Sequence, residues 1–132
     1  MTYTNKRAWL YSRIDAPEDT NGVLKNQEKE LCDYAVQMGM TVAGTSSDLG
    51  SGLDYERPGL KQITAAAKDG RFDILLVKSL SRLGRDMEQT GELIKTLHEQ
   101  GVGVCSPLEG AITLDSSLFD PYGIKMKQGG LT

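Results

Sequence analysis

Residues Asp73–Arg85 read DILLVKSLSRLGR, an apolar run of strand length followed by a polar segment that ends in two arginines. The uninterrupted run Ile74–Val77 is typical of a strand that is covered on both faces, as in a parallel sheet. Ligands of open parallel sheets bind just beyond the carboxyl ends of the strands, where Ser81, Arg82 and Arg85 fall. Two guanidiniums at that edge are suited to binding a phosphate, because each planar fork is permanently charged and matches two phosphate oxygens. The alternative is that both are ordinary solvated surface arginines.

A second arginine-bearing strand precedes this segment. Residues Arg7–Ile14 combine aromatic and β-branched side chains, which predicts a strand. Because side chains alternate along a strand, Arg13 and Asp15 share one face and Ser12 lies on the other. A further arginine at a strand end favours a phosphate-binding site over isolated surface arginines.

Strand and helix patterns alternate along the rest of the chain. Further strands are predicted at Met40–Gly44, Val102–Cys105 and Ala111–Leu114, and helices from Thr20 or Asn21 to Gly39, from Pro58 to Gly70 and from Asp86 to Gln100. Residues Thr45–Glu56 are predicted to form a flexible loop. This alternation implies an α/β fold, a single three-layer domain with a mostly parallel central sheet flanked by helices.

The chain length fits one such domain. With 132 residues, of which 39% are hydrophobic, the chain can bury one core but is too short for two ordinary domains. The domain is expected to span residues 1–114. Pro121 and three later glycines then predict that residues 115–132 form an irregular tail.

Composition argues against several classes of function. The net charge of −3 disfavours a self-sufficient nucleic-acid binder, although it allows a local basic pocket. Cys32 and Cys105 lack metal-ligand spacing and His98 is the only histidine, so we expect neither a zinc site nor a Cys–His nucleophile pair. No apolar segment approaches membrane-spanning length, and the polar N-terminus resembles no signal peptide. We therefore expect a cytoplasmic protein without membrane contact.

Several segments now fall in the order seen in serine recombinases of the resolvase/invertase type. The segments are YSRID (Tyr11–Asp15), Gln27, Ser51-Gly52, RPGL (Arg57–Leu60), Asp73 and SRLGR (Ser81–Arg85), followed by Gly101-Val102, Ser106, Glu109-Gly110 and Thr113. No single motif is specific, but together they cover Arg7 to Thr113. The chain therefore resembles the N-terminal catalytic domain of that family.

The resemblance implies a function in DNA strand exchange. In that family a serine attacks a DNA phosphodiester, and arginines stabilise the charge of the transition state without a metal or cofactor. By position, the arginine pocket would consist of Arg13, Arg57, Arg82 and Arg85. The residues that would bind or support the DNA phosphate beside it are Gln27, Ser51, Asp73 and Ser81. An alternative for Asp73 is a turn or cap residue that precedes a strand.

The chain departs from the family pattern at the nucleophile, because Asp15 occupies the position of the attacking serine. Ser12 is a poor substitute, since alternation points it into the core. Aspartate can accept a phosphoryl group, but its charge would repel a phosphodiester and the acyl phosphate would be prone to hydrolysis. We instead predict that Asp15 forms ion pairs with Arg13, Arg82 or Arg85 and fills the pocket as an internal anion.

Two alternatives to an impaired recombinase domain remain open. The chain could be a non-catalytic regulatory partner of an active recombinase, or, less favoured, a small phosphate-binding α/β domain. The expected partners are DNA, bound weakly by this domain alone, and a homo-oligomer or a hetero-oligomer with another recombinase. Weak DNA binding is expected because the chain ends at Thr132 without the long helix and the DNA-binding domain of its relatives.

Overall fold

The computed structural model describes residues 5–16, 21–50, 55–114 and 124–126. Its strands are β1 (Arg7–Ile14), β2 (Thr41–Leu49), β3 (Ile74–Val77), β4 (Gly103–Ser106), β5 (Gly110–Leu114) and β6 (Ile124–Met126). Its helices are α1 (Val23–Gln37), α2 (Pro58–Lys68), α3 (Leu80–Leu83) and α4 (Met87–Glu99). Within these ranges no helix has both the length and the apolar composition needed to cross a bilayer.

The strands form one mixed sheet in the order β2-β1-β3-β4-β5-β6. The four strands from β2 to β4 are mutually parallel, because each is joined to the next by a helical crossover. β5 and β6 run antiparallel at the far edge. The predicted α/β fold with a mostly parallel sheet is confirmed, and all the parallel strands end at the same edge.

Two hydrophobic clusters, one on each face of the sheet, make the domain three-layered. Alternation along β1 sends Leu10 towards α1, where it packs with Leu31, and sends Trp9 and Tyr11 towards α2, α3 and α4. β3 is buried along its whole length, as the apolar run Ile74–Val77 predicted. These two strands therefore form the rigid centre from which the loops at their carboxyl ends project.

β2 is longer than predicted, because the polar segment after Gly44 continues as a strand to Leu49 instead of forming a loop. Its polar character reflects its place at the edge of the sheet, and its two buried polar residues have specific partners. Ser46 Oγ accepts a hydrogen bond from Trp9 Nε1 at 3.0 Å. Asp48 Oδ2 accepts one from the Tyr11 hydroxyl at 2.8 Å.

Two further elements were not predicted. The first is α3, a single turn immediately after β3. The second is β6, which pairs with β5 inside the segment expected to be an irregular tail, so that segment is not irregular throughout. Both are too short for their periodicity to be read from sequence, and both depend on neighbouring elements for their hydrogen bonds.

The packing of Trp9 against β2 gives a prediction of stability. A Cβ atom added at Gly44 would lie 2.4 Å from the Trp9 ring, whereas one added at Gly103 in β4 would meet no atom within 4 Å. We expect Gly44→Ala to lower the free energy of unfolding by about 2 kcal/mol through overpacking. Gly103→Ala, the matched control, should change it by less than about 0.5 kcal/mol. Urea denaturation of both variants measures the difference, and equal effects would contradict this account of the packing.

Candidate functional site

The side chain of Arg13, at the carboxyl end of β1, joins the loops around the site. It is 1% exposed. Its guanidinium donates from Nε to the Arg82 carbonyl at 3.0 Å, from Nη2 to the Ser81 carbonyl at 2.9 Å and from Nη1 to the Gly50 carbonyl at 2.8 Å. Nη1 also donates to Asp15 Oδ1. Arg13 thus connects the ends of β1 and β2 to α3, and every nitrogen of its guanidinium has a partner inside the protein.

Gln27 on α1 fixes the backbone of Arg13. Its side-chain oxygen accepts from the Arg13 amide at 3.0 Å, and its side-chain nitrogen donates to the Arg13 carbonyl at 3.3 Å. The side-chain amide of Gln27 thereby pairs with β1 as a neighbouring strand would, on the side of β1 where the pairing with β3 has already ended at Val77. The structure brings Gln27 to the site, as predicted, through the main chain of Arg13.

Asp15 lies between two guanidiniums. Its Oδ1 accepts from Arg13, and its Oδ2 accepts from Nη2 of Arg85, whose side chain is 60% exposed. The Asp15 side chain is itself 34% exposed. The hydrogen bond from Arg13 lowers the pKa of the Asp15 carboxyl, partial burial opposes that change, and the charges of Arg13, Arg85 and Arg82 lower it further. The predicted ion pairs with Arg13 and Arg85 are present, and Arg82 acts on Asp15 through its charge.

Arg57 is buried behind α3. Its guanidinium carbon lies 5.8 Å from the centre of the Tyr11 ring and 5.7 Å from that of Tyr55, and its Nη2 donates to the Leu83 carbonyl. Burial lowers the pKa of Arg57, and the charge of Arg13 lowers it further. Its Nε and Nη1 have no hydrogen-bond partner among the described residues. Arg57 therefore contacts the pocket through the backbone of α3.

Two residues that the sequence did not single out support this arrangement. The carboxylate of the buried Asp48 accepts two hydrogen bonds, each of 2.8 Å. One comes from the Tyr11 hydroxyl and the other from the backbone amide of Gly59, at the start of α2. Tyr55 lies so close to Gly84 that an added Cβ would come within 1.9 Å of its hydroxyl. That contact explains the glycine of the SRLGR segment. The available sequence signal was that Asp48 lies two residues after Ser46 in an otherwise uncharged segment, so that the two would share one face of a strand.

The remaining predicted site residues lie in different places. Ser81 is exposed on α3 and its hydroxyl lies 2.8 Å from that of Ser79. Ser12 is buried, as predicted. Ser51 lies outside the described residues.

The prediction that Asp73 supports the pocket is wrong. Asp73 precedes β3 and therefore lies at the opposite edge of the sheet, where its carboxylate accepts from the Arg7 amide at 2.8 Å and pairs with the Arg7 guanidinium at 3.1 Å. These hydrogen bonds lower the pKa of Asp73. The alternative reading, a cap residue before a strand, describes its position.

Within the site, two guanidiniums share one internal carboxylate, that of Asp15. Arg13 and Arg57 point towards main-chain carbonyls, whereas Arg85 reaches solvent and shares the Asp15 carboxylate with Arg13. Among the described residues, no group of three or more His, Cys, Asp or Glu side chains is arranged to hold a metal ion. Among the described residues, this edge presents guanidiniums and the carboxylate of Asp15.

Comparison with known proteins identifies the lineage. The family described as the resolvase N-terminal domain matches residues 8–118. The Tn3 resolvase of Escherichia coli is 41% identical over 98 residues, covering 74% of this chain and 48% of that protein. The Tn552 resolvase of Staphylococcus aureus is 44% identical over 71 residues, covering 54% of this chain and 34% of that protein. The chain thus spans about half or less of the length of these curated relatives.

Solved structures agree with these relatives. The N-terminal catalytic domain of TP901-1 integrase is 28% identical with a TM-score of 0.68, over 76% of each chain. The C-terminal catalytic domain of ISC1926 TnpA, an IS607-like serine recombinase, is 26% identical with a TM-score of 0.71, over 76% of this chain and 67% of that one. The fold is therefore that of serine-recombinase catalytic domains.

The ion pairs of Asp15 predict a pH dependence of stability. Because the pKa of Asp15 is lower in the folded protein than its ordinary value of 3.8, the pairs stabilise the fold above that pH. They stop doing so as pH falls through the folded-state pKa. In urea denaturation from about pH 6 to about pH 2, the free-energy difference between wild type and Asp15→Asn should therefore shrink towards zero. A difference that stays constant over this range would contradict the ion pairs. Asp33→Asn, which neutralises an exposed aspartate away from the site, serves as the control.

Proposed function

This chain belongs to the resolvase N-terminal domain family, and we propose from that premise that it is a serine-recombinase catalytic domain whose DNA cleavage is impaired by Asp15. The observation that carries the proposal is the contact of one carboxylate with both Arg13 and Arg85. In the family the residue at this position attacks the DNA phosphate, and the arginines stabilise the charge that develops. Here the same position supplies a negative charge that those arginines neutralise.

Asp15 opposes cleavage in two ways. It has no hydroxyl whose oxygen could bond to phosphorus while the bond to the 3′ oxygen breaks and that oxygen takes a proton. It also competes with the incoming phosphate, because Arg13 is buried and each nitrogen of its guanidinium already donates to a protein oxygen, Asp15 among them. Attack by the carboxylate itself would form an acyl phosphate, whose hydrolysis would prevent the rejoining of DNA strands.

DNA is nevertheless the expected partner. Arg85 is mostly exposed, and Arg82 is partly exposed beside it, so phosphates could be attracted to this edge. The net charge of −3 implies that this domain alone binds DNA weakly. A protein with this role is expected to act in the cytoplasm.

A second candidate function is that of a non-catalytic partner in an oligomer with an active recombinase. It is favoured by the ion pairs of Asp15, which supply Arg13 and Arg85 with an internal counter-charge without DNA. A domain of this kind keeps the surface of the family while contributing no nucleophile. Mixing it with an active relative and measuring recombination would distinguish this role, since a regulatory subunit should change the relative's rate.

The occupied pocket predicts a gain of anion binding when Asp15 is neutralised. We expect Asp15→Asn to be stabilised against heat by millimolar inorganic phosphate, because Arg13 and Arg85 lose their internal anion. Wild type should be stabilised much less, and so should the control Asp33→Asn, whose carboxylate pairs with Lys29 on the surface. Thermal denaturation at constant ionic strength measures the effect. Equal responses of wild type and Asp15→Asn would contradict the pocket.

The missing hydroxyl predicts the outcome of a cleavage assay. Wild type and Asp15→Ser are incubated with duplex DNA that carries candidate recombination sites, and covalent protein–DNA adducts are separated by denaturing electrophoresis. We expect an adduct only with Asp15→Ser, and none with the double variant Asp15→Ser/Arg85→Ala, which lacks an arginine of the pocket. An adduct formed by wild type would overturn the proposal that cleavage is impaired.

A further inference from the structure

α3 is too short to be stable alone. It has four residues, and forming one helical turn fixes several dihedral angles in return for few hydrogen bonds. Its carboxyl end is bound from outside, because Arg13 donates to the carbonyls of Ser81 and Arg82 and Arg57 donates to that of Leu83. The position of α3 therefore depends on side chains from other elements.

The amino end of α3 is bound in the same way by Glu109. Ser79 stands at the N-cap position but makes no side-chain cap, since its hydroxyl lies against that of Ser81. Instead Glu109 Oε1 accepts from the Leu80 amide at 2.5 Å, although it lies 29 residues further along the chain. A carboxylate at this place satisfies an orphan amide and carries the charge that a helix N-terminus favours.

Glu109 is itself held in place within the turn between β4 and β5. The Ser106 hydroxyl donates to Glu109 Oε1 at 3.1 Å and accepts from the Glu109 amide at 2.8 Å. Ser106 is fully buried, so this pair of hydrogen bonds fixes the carboxylate relative to the sheet. The turn between β4 and β5 is thereby connected to α3.

From this geometry we infer that Glu109 is a positioning residue for the arginine pocket. It binds α3 at the end opposite to Arg13 and Arg57, and α3 with the residues that follow carries Arg82 and Arg85. Removing its carboxylate should leave the chain folded but let α3 leave its binding position. The pocket would then be complete in a smaller fraction of molecules, which lowers the apparent affinity for an anion by that fraction. This inference rests on the proposed function, because it takes the arginine pocket to be the site of anion binding.

The test uses inorganic phosphate as the probe and Asp15→Asn, in which the internal anion is neutralised, as the parent. We expect Glu109→Ala in this parent to weaken phosphate binding by about fivefold, the factor that loss of a helix N-cap corresponds to. Glu109→Gln should restore most of the affinity, because its side-chain oxygen can still accept from the Leu80 amide. Glu99→Ala, which removes an exposed glutamate at the end of α4, should have no effect.

A second destabilised variant separates a loss of α3 positioning from a general loss of stability. Gly44→Ala in the same parent disturbs the packing of Trp9 against β2 and removes none of the hydrogen bonds that hold α3, so it should lower the melting temperature and leave the phosphate affinity unchanged. If Glu109→Ala binds phosphate as tightly as its parent, the positioning role is overturned. It is also overturned if Glu109→Gln is as weak as Glu109→Ala.

A second readout keeps this inference distinct from the proposed function. If Asp15→Asn binds no phosphate, the proposed pocket fails, and Glu109 is then judged in the otherwise wild-type chain. There, NMR resonances of the Leu80 amide and of the Arg85 guanidinium Nε–H should both change in Glu109→Ala and return towards wild type in Glu109→Gln. A change at Leu80 without any change at Arg85 would show a local cap that does not position the arginine, and would overturn the inference.

Discussion

The buried guanidinium of Arg13 is the interaction on which the carboxyl edge of the sheet depends. An unpaired charge in such a place would cost several kcal/mol, so the fold must supply it with acceptors. It does so by bringing Gly50, Ser81 and Arg82 within hydrogen-bonding distance of one side chain. The three segments are therefore not arranged independently, because none of them can move away without breaking its hydrogen bond to the shared Arg13 side chain. Gln27 completes this constraint by fixing the backbone from which Arg13 projects.

The arginines that the sequence grouped together divide by role in the structure. Arg13 and Arg57 are buried and point towards backbone carbonyls, whereas Arg85 projects into solvent. The buried pair, Arg13 and Arg57, holds α3 in place through its carbonyls. The position of α3 in turn determines the backbone position of Arg85, which follows it in the chain. An arginine can serve either purpose because its fork donates equally well to carbonyl, carboxylate and phosphate oxygens. Residue type alone therefore could not separate the two roles.

What the sequence revealed, and what it did not, follows from the range of the interactions concerned. Alternation along β1 is local, and it correctly placed Asp15 beside Arg13 and Ser12 in the core. The polar half of β2 looked like a loop, because its buried Ser46 and Asp48 have partners on another strand that no local pattern reveals. Asp73 was assigned to the pocket by resemblance, although a residue that precedes a parallel strand lies at the other edge of the sheet.

If position 15 is that of the family's nucleophile, as we propose, the choice of aspartate there connects the fold to the loss of cleavage. A small apolar residue there would also remove the attacking hydroxyl, but it would leave Arg13 buried without a counter-charge. A carboxylate in this position removes the hydroxyl and provides that charge in one substitution, and its second oxygen also binds Arg85. The carboxylate can remain ionised because the surrounding guanidiniums lower its pKa. On the proposed function, the contact that stabilises this edge of the domain is the same contact that would keep its arginines from an external phosphate.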